Sequence, residues 1–226
     1  MQIQTKLAPV LTSAKALFIV PGFADTKMID IAQAADIAVG TLYHLFRSKE
    51  DLLQAVFTVT LDPAALDKVT NLPITPQTTP DLIQATQRRY QQAATQLDRL
   101  MATDQQAGAF SRLTSYLFTT FDQFGAYFLI LERNAQLNPQ LVSLYKDYRQ
   151  ALYQNVAHYL TVLVSHGVVI PQLQPYYDAH LIIDEIFWWS AHKRYDAFEH
   201  QANNFDPALM KKTVMTQLAR SYTMPA

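Results

Sequence analysis

From Leu7 to Tyr222 the apolar residues recur at i, i+3, i+4 and i+7, and no useful stretch alternates as a strand would. The first run reads Leu7, Val10, Leu11, Ala14, Leu17 and Phe18. A helix of 3.6 residues per turn gathers such positions on one stripe, whereas a half-buried strand needs period two. The spacing therefore predicts an all-α protein. Half of the 226 residues are hydrophobic, 16% are charged and only five are glycine. That supply of apolar side chains suffices for a sizeable core and excludes a disordered or collagen-like chain.

Breaks in the periodicity divide the chain. The first helix should stop near Pro21-Gly22, where proline removes a donor and glycine can turn left-handed. A second is expected from Thr26, as N-cap, to about Ala35, burying Met28, Ile31, Ala32 and Ala35. A third, very short one covers roughly Val39 to Phe46. A fourth starts at Ser48, with Asp51 as its capping-box partner, and buries Leu52, Leu53, Val56 and Phe57. Residues 62–80 hold four prolines and several threonines and read as a linker. Helices are then expected over 81–102, 110–131, 139–166, 176–200 and 206–222. The expected organisation is a three-helix N-terminal domain with its connecting helix, residues 1–61, followed by a larger helical bundle, residues 62–226.

Several function classes drop out. There is no cysteine, which excludes disulfides, cysteine zinc sites and thiol nucleophiles. No run approaches the roughly 18 apolar residues that a membrane span needs. The first 20 residues lack the charged start and continuous apolar block of a signal peptide, so a cytoplasmic location is expected. No nucleophile signature, phosphate loop or paired carboxylates suggest catalysis, and no cofactor is expected. His192, Asp196 and His200, with His180 and Asp184, repeat every four residues. They are too spread to hold one ion, and an exposed polar face explains them better, so no metal is expected.

Residues 31–53, "IAQAADIAVGTLYHLFRSKEDLL", set two short helices about four residues apart. This is the helix-turn-helix arrangement, whose second helix lies in a DNA major groove. Gly40 costs about 1 kcal/mol relative to alanine inside a helix. That cost suits a backbone that must approach either a DNA surface or a crowded neighbouring helix. Leu42, Leu45 and Phe46 read as core. Thr41, Tyr43 and His44 point elsewhere, toward phosphates and base edges or simply toward solvent. Lys49, just past the Ser48 cap, adds charge where a helix N-terminus already favours phosphate.

The segments "ALF…GF…T…IA", "VGTLYHLF" and "SKEDLL", between Leu11 and Leu53, resemble the DNA-binding domain of the tetracycline-repressor (TetR) family of bacterial regulators. By that resemblance Thr26, Lys27, Tyr43, His44 and Lys49 would contact the DNA backbone, and Val39, Gly40 and Thr41 would face the bases. Two positions depart from the family pattern. Asp36 stands where glycine is usual, and Ala38 stands where a small hydroxyl residue would cap the recognition helix and touch a phosphate. Residues 1–57 carry five cations and five anions, a net charge of zero, so modest affinity and a shallow salt dependence are expected.

For the remainder, the resemblance implies a homodimer whose C-terminal domain binds a small molecule and alters the spacing of two reading heads. Paired recognition helices must stand about 34–36 Å apart to enter successive major grooves. Ile182, Ile186, Trp189, Leu209, Val214, Leu218 and Tyr222 on the last two helices are the expected dimer face, unless they pack within one chain. Aromatic density suggests a pocket lined by Tyr90, Tyr116, Phe124, Phe128, Tyr148 and Trp188, unless these are plain core. Few charges lie in these helices, which favours a small apolar or aromatic effector. The expected function is a ligand-responsive transcriptional regulator, a repressor rather than an activator, acting on double-stranded operator DNA. The other reading open at this point is a helical binding or interaction module whose operator binding has weakened or been lost.

Overall fold

A computed structural model describes residues 3–196 and 206–224. Nine α-helices account for most of them: α1 Ile3–Leu17, α2 Met28–Ala34, α3 Val39–Leu45, α4 Lys49–Leu61, α5 Thr79–Thr103, α6 Ala109–Arg133, α7 Pro139–Ser165, α8 Pro175–Ser190 and α9 Pro207–Tyr222. Among the described residues the β-structure is one bridge, between Val169 and Thr223. None of these helices is long and apolar enough to cross a membrane.

The chain forms two compact units. One comprises residues 1–89 with 126–142, the other residues 90–125 with 143–226. In the first, the expected stripes meet: Leu7, Val10, Ala14, Phe18, Ile31, Leu42, Phe46, Leu52 and Val56 are all fully buried. The end of α6 joins this core. Asn134, just past α6, accepts from the Phe23 amide at 2.8 Å and donates to the Phe18 and Ile130 carbonyls, each at 2.8 Å. The 62–78 segment also belongs here, since the Ile74 amide donates to the Leu45 carbonyl at 2.8 Å. The packing boundary therefore does not coincide with a break at 61/62. The expected linker is held against the N-terminal helices, and the first turns of α5 are tied to the end of α6, where Thr86 shares a 2.7 Å hydrogen bond with Tyr127.

In the second unit, α8 ends ten residues before the expected 200. Its last turn is stopped at Ala191, which sits so close to α6 that a Cβ on Gly125 would lie 2.3 Å from the Ala191 Cβ. A 3-10 turn, His192–Tyr195, follows and is pinned by ion pairs of Arg194 with Asp122 and Lys193 with Asp196.

The expected dimer face also needs correction. Ile182 and Ile186 are 0% exposed, and Val214 and Leu218 only 2% and 3%, within a single chain. They are where α8 and α9 pack on the rest of their own unit, so burying them needs no second copy. Tyr222 is likewise engaged internally, donating to Asp178 at 3.0 Å and stacking on Phe110. Trp189 is half-buried, and Leu209 alone of the seven is well exposed. The most exposed large apolar residues of α8 are instead Tyr177, Leu181 and Trp188.

Candidate nucleic-acid interface

Local chemistry accounts for the turn between α2 and α3. The Ile37 amide reaches back to the Ala32 carbonyl at 3.0 Å and the Asp36 amide to Gln33 at 3.1 Å. This closure requires a left-handed residue just past the helix, and Asp36 supplies it at φ 54°. Aspartate thus performs the turn usually given to glycine. Ala38 precedes α3 with extended backbone and no side-chain cap, as its methyl group dictates. Ser48 caps α4 by accepting from the Asp51 amide at 3.0 Å.

α3 divides cleanly. Leu42 and Leu45 are buried, with Phe46 just beyond, while Ala38, Val39, Gly40, Tyr43 and His44 face outward and Thr41 is half-buried. Tyr43 is 53% exposed, with its phenol open to solvent. A Cβ built on Gly40 meets nothing within 4 Å. No neighbouring helix crowds that glycine, so packing within the chain does not explain it. What remains on this face is an open backbone, a small hydroxyl, a phenol and an imidazole, all free to meet an external surface.

Two expected backbone contacts prove to have internal tasks. Thr26 is 1% exposed, and its hydroxyl donates toward Gly22 and Leu17 carbonyls at 2.7 and 3.0 Å. It closes the break after α1 rather than capping α2. The α2 N-cap is Lys27, whose backbone amide donates to the Asp30 carboxylate at 2.7 Å. Lys49 donates its ammonium to the Phe23 and Thr26 carbonyls at 2.6 and 2.7 Å and lies 4.2 Å from the Phe23 ring centroid. The same carbonyl-rich turn therefore recruits both residues. Lys27 keeps an exposed side chain. Arg47, absent from the expected set, is exposed directly after α3. Its position in "HLFRSKE", between the recognition helix and the next cap, is the signal that would have found it.

In the second unit the expected aromatic residues are only partly brought together. Tyr90 stacks on Tyr148 with centroids 4.5 Å apart, and Tyr116 donates to the Ala93 carbonyl, one turn from Tyr90, at 2.9 Å. Phe124 is buried. Trp188 departs from this set, being 45% exposed and stacked on His192. Phe128 is buried in the other unit. Of the repeated His and Asp positions, Asp196 pairs with Lys193, and His180 stacks on Tyr153 at 3.6 Å. His200 lies outside the described residues. Among those described, no three His, Cys, Asp or Glu side chains group as metal ligands.

Residues 10–56 match the family model described as bacterial regulatory proteins, tetR family. The HTH-type transcriptional regulator UidR of Escherichia coli (strain K12) is 23% identical over 188 residues, covering 80% of this chain and 80% of its own. The solved ketosteroid transcriptional regulator of Mycobacterium tuberculosis matches 99% of this chain and 98% of its own at 17% identity, with a TM-score of 0.59. A transcriptional regulator from Saccharomonospora viridis, solved in complex with choline, covers 99% of this chain and 100% of its own at 16% identity and TM-score 0.50. At such identities the structural likeness speaks for the fold, and the family match speaks for the helix-turn-helix segment. The helix-turn-helix segment, residues 10–56, is thus that of bacterial regulatory proteins of the tetR family, and the all-helical fold around it is like that of solved transcriptional regulators.

Proposed function

We propose that this regulator is a homodimeric repressor that reads operator DNA through α3 and releases it in response to a small molecule. One observation carries the DNA reading: Gly40 opens on empty space beside exposed Val39, Tyr43 and His44. A glycine there costs helix stability and gives the chain no packing in return, which makes sense where a groove must be approached closely. Val39, Gly40 and Thr41 are assigned to base edges. Tyr43, His44, Lys27 and Arg47 are assigned to the backbone, with Ala38 at the head of the helix contributing no hydroxyl.

A second copy is the assigned partner for the outward stripe of α8, Tyr177, Leu181 and Trp188, with Leu209 of α9. These four are 45–67% exposed, and large apolar side chains grouped on two helices favour a partner surface. The effector is assigned to the aromatic residues Tyr90, Tyr116, Phe124 and Tyr148, whose character favours a small apolar or aromatic molecule. The structural neighbour's choline is compatible with aromatic walls of this kind, since cations are held over rings.

Binding of the purified chain to the DNA upstream of its own gene tests the reading, at about 50 mM salt where electrostatic attraction is strongest. Saturable binding that Tyr43→Ala weakens tenfold or more is expected. Absence of binding at that salt overturns it and favours a helical binding module with a vestigial reader. Leu181→Glu, which places a charge in the proposed dimer face, should halve the mass in solution.

A further inference from the structure

The N-terminal unit contains a cavity of about 350 Å³ between α1, α4 and the 65–77 segment. Its floor is Leu7, Leu11 and Phe46, all buried. Ala55 and Thr58 of α4 form one wall, and Ile74 lies in the segment that roofs it. Lys68 is the charged side chain of the lining, and Asp62 already pairs with it at 3.2 Å. Sites for small ligands begin at about 300 Å³, and an apolar cavity of about 150 Å³ already accepts benzene. The size therefore fits a fused bicyclic molecule.

The roof is fastened where it matters for reading DNA. The amide of Ile74 donates to the carbonyl of Leu45, the last residue of α3, at 2.8 Å. Terminal carbonyls of a helix lack partners of their own, so this bond satisfies one of them. The 65–77 segment is thus a strap over the end of the recognition helix, and the cavity lies beneath it. At the rim, the Thr58 hydroxyl already donates to the Gln54 carbonyl at 2.8 Å and lies 3.5 Å from the Gln77 side-chain oxygen, so it can accept from a ligand hydroxyl while Gln77 can accept or donate beside it.

We propose that this cavity is a small-molecule site within the DNA-reading unit, distinct from the aromatic residues of the bundle. It takes a compact, uncharged, bicyclic-sized molecule bearing one hydroxyl or amide. An ionised ligand would have to bury its charge against an apolar floor without a spare counter-ion. Because such a molecule touches floor and roof together, it favours the state in which the strap is closed on α3. The consequence for DNA rests on the proposed operator reading, whereas occupancy of the site does not.

Hydrogen exchange of the full-length chain, with and without saturating 2-naphthol, tests the site. Exchange across 65–77, including the Ile74 amide, should slow at least tenfold, with saturable binding. Ala55→Phe and Thr58→Trp, which fill the cavity from a buried and a half-exposed position, should abolish both effects, while Leu173→Ala, at an exposed position outside the lining, leaves them intact. If the filled variants fail to fold, the location of protection in the natural chain still decides. No saturable binding, protection confined to 90–125 and 143–196, or binding that survives Thr58→Trp overturns the proposal. Protection of 65–77 in a chain that binds no upstream DNA would sink the operator reading and leave the site standing.

Discussion

Asn134 offers the sharpest measurement of what holds the reading unit together. Its side chain is 3% exposed and makes three hydrogen bonds of 2.8 Å, to the Phe23 amide and to the Phe18 and Ile130 carbonyls. Asn134→Ala does not cost all three. The Ile130 carbonyl keeps its helical bond from the Asn134 amide at 3.1 Å, so two buried backbone groups, the Phe23 N–H and Phe18 C=O, lose a partner. Each such loss costs about 1–3 kcal/mol, which gives about 2–6 kcal/mol in all. Urea unfolding at fixed protein concentration measures it. A change below about 0.5 kcal/mol, the range of an ordinary surface substitution, refutes the accounting. Asn134→Asp adds a sign. One carboxylate oxygen can still accept from Phe23, but the other faces two carbonyls, so the folded state raises the carboxyl pKa above its ordinary value of about 3.9. The resulting instability is present at pH 7 and relieved as pH falls through the raised folded value. A variant whose deficit is the same at pH 7 and pH 4 would show that the amide's donors are not the issue.

Gly40→Ala should separate stability from function. With open space around the new methyl group, helix propensity makes the fold more stable by about 1 kcal/mol, while operator affinity falls tenfold or more. Unchanged affinity would remove the main support for close approach. Glu185→Gln should raise the melting temperature at pH 7. Burial raises the Glu185 pKa from 4.5, so the natural carboxyl is most favourable while protonated and destabilises as pH rises through its folded value. The gain from glutamine should therefore vanish near pH 4, and a gain independent of pH would point to packing instead.

How much of this was legible in sequence depends on what each residue's neighbours decide. The helices of the reading unit were readable because apolar spacing and caps are local. Leu7, Val10, Leu11, Ala14 and Phe18, though not Leu17, and Leu52, Leu53, Val56 and Phe57 are buried as the stripes require, and Ser48 caps as its hydroxyl suggests. Lys49 and Thr26 were not readable. Their partners are carbonyls of the break after α1, up to 26 positions away, and no local pattern announces unsatisfied carbonyls. The face of α8 failed for another reason. "YYDAHLIIDEIFWWS" is apolar on both sides, so periodicity cannot choose which side turns inward. The structure buries Ile182, Ile183, Ile186 and Phe187 and leaves Tyr177, Leu181 and Trp188 outside. A helix that is apolar all round offers periodicity no polar side by which to choose.

Those internal roles change the expected salt dependence of DNA binding. Of the five cations in residues 1–57, Lys49 is bonded to two carbonyls, while Lys27 is exposed at the head of α2 and Arg47 just past α3. Two heads of a proposed dimer would then bring about four such cations to phosphate. At about −0.9 per neutralised phosphate, log K should fall with log salt at a slope of about −4. Lys49→Gln should leave that slope unchanged while lowering stability by about 1–3 kcal/mol, because two carbonyls lose a charged donor. Arg47→Gln should do the reverse, flattening the slope by nearly two units across the pair at little cost to folding. A slope steeper than about −6, or one that flattens when Lys49 is changed, would mean that the ammonium leaves the Phe23 and Thr26 carbonyls for phosphate. If the shallow slope holds, little of the affinity can come from charge. It must come from the fit of Val39, Gly40 and Thr41 to the groove, contacts that depend on base sequence and hardly on salt.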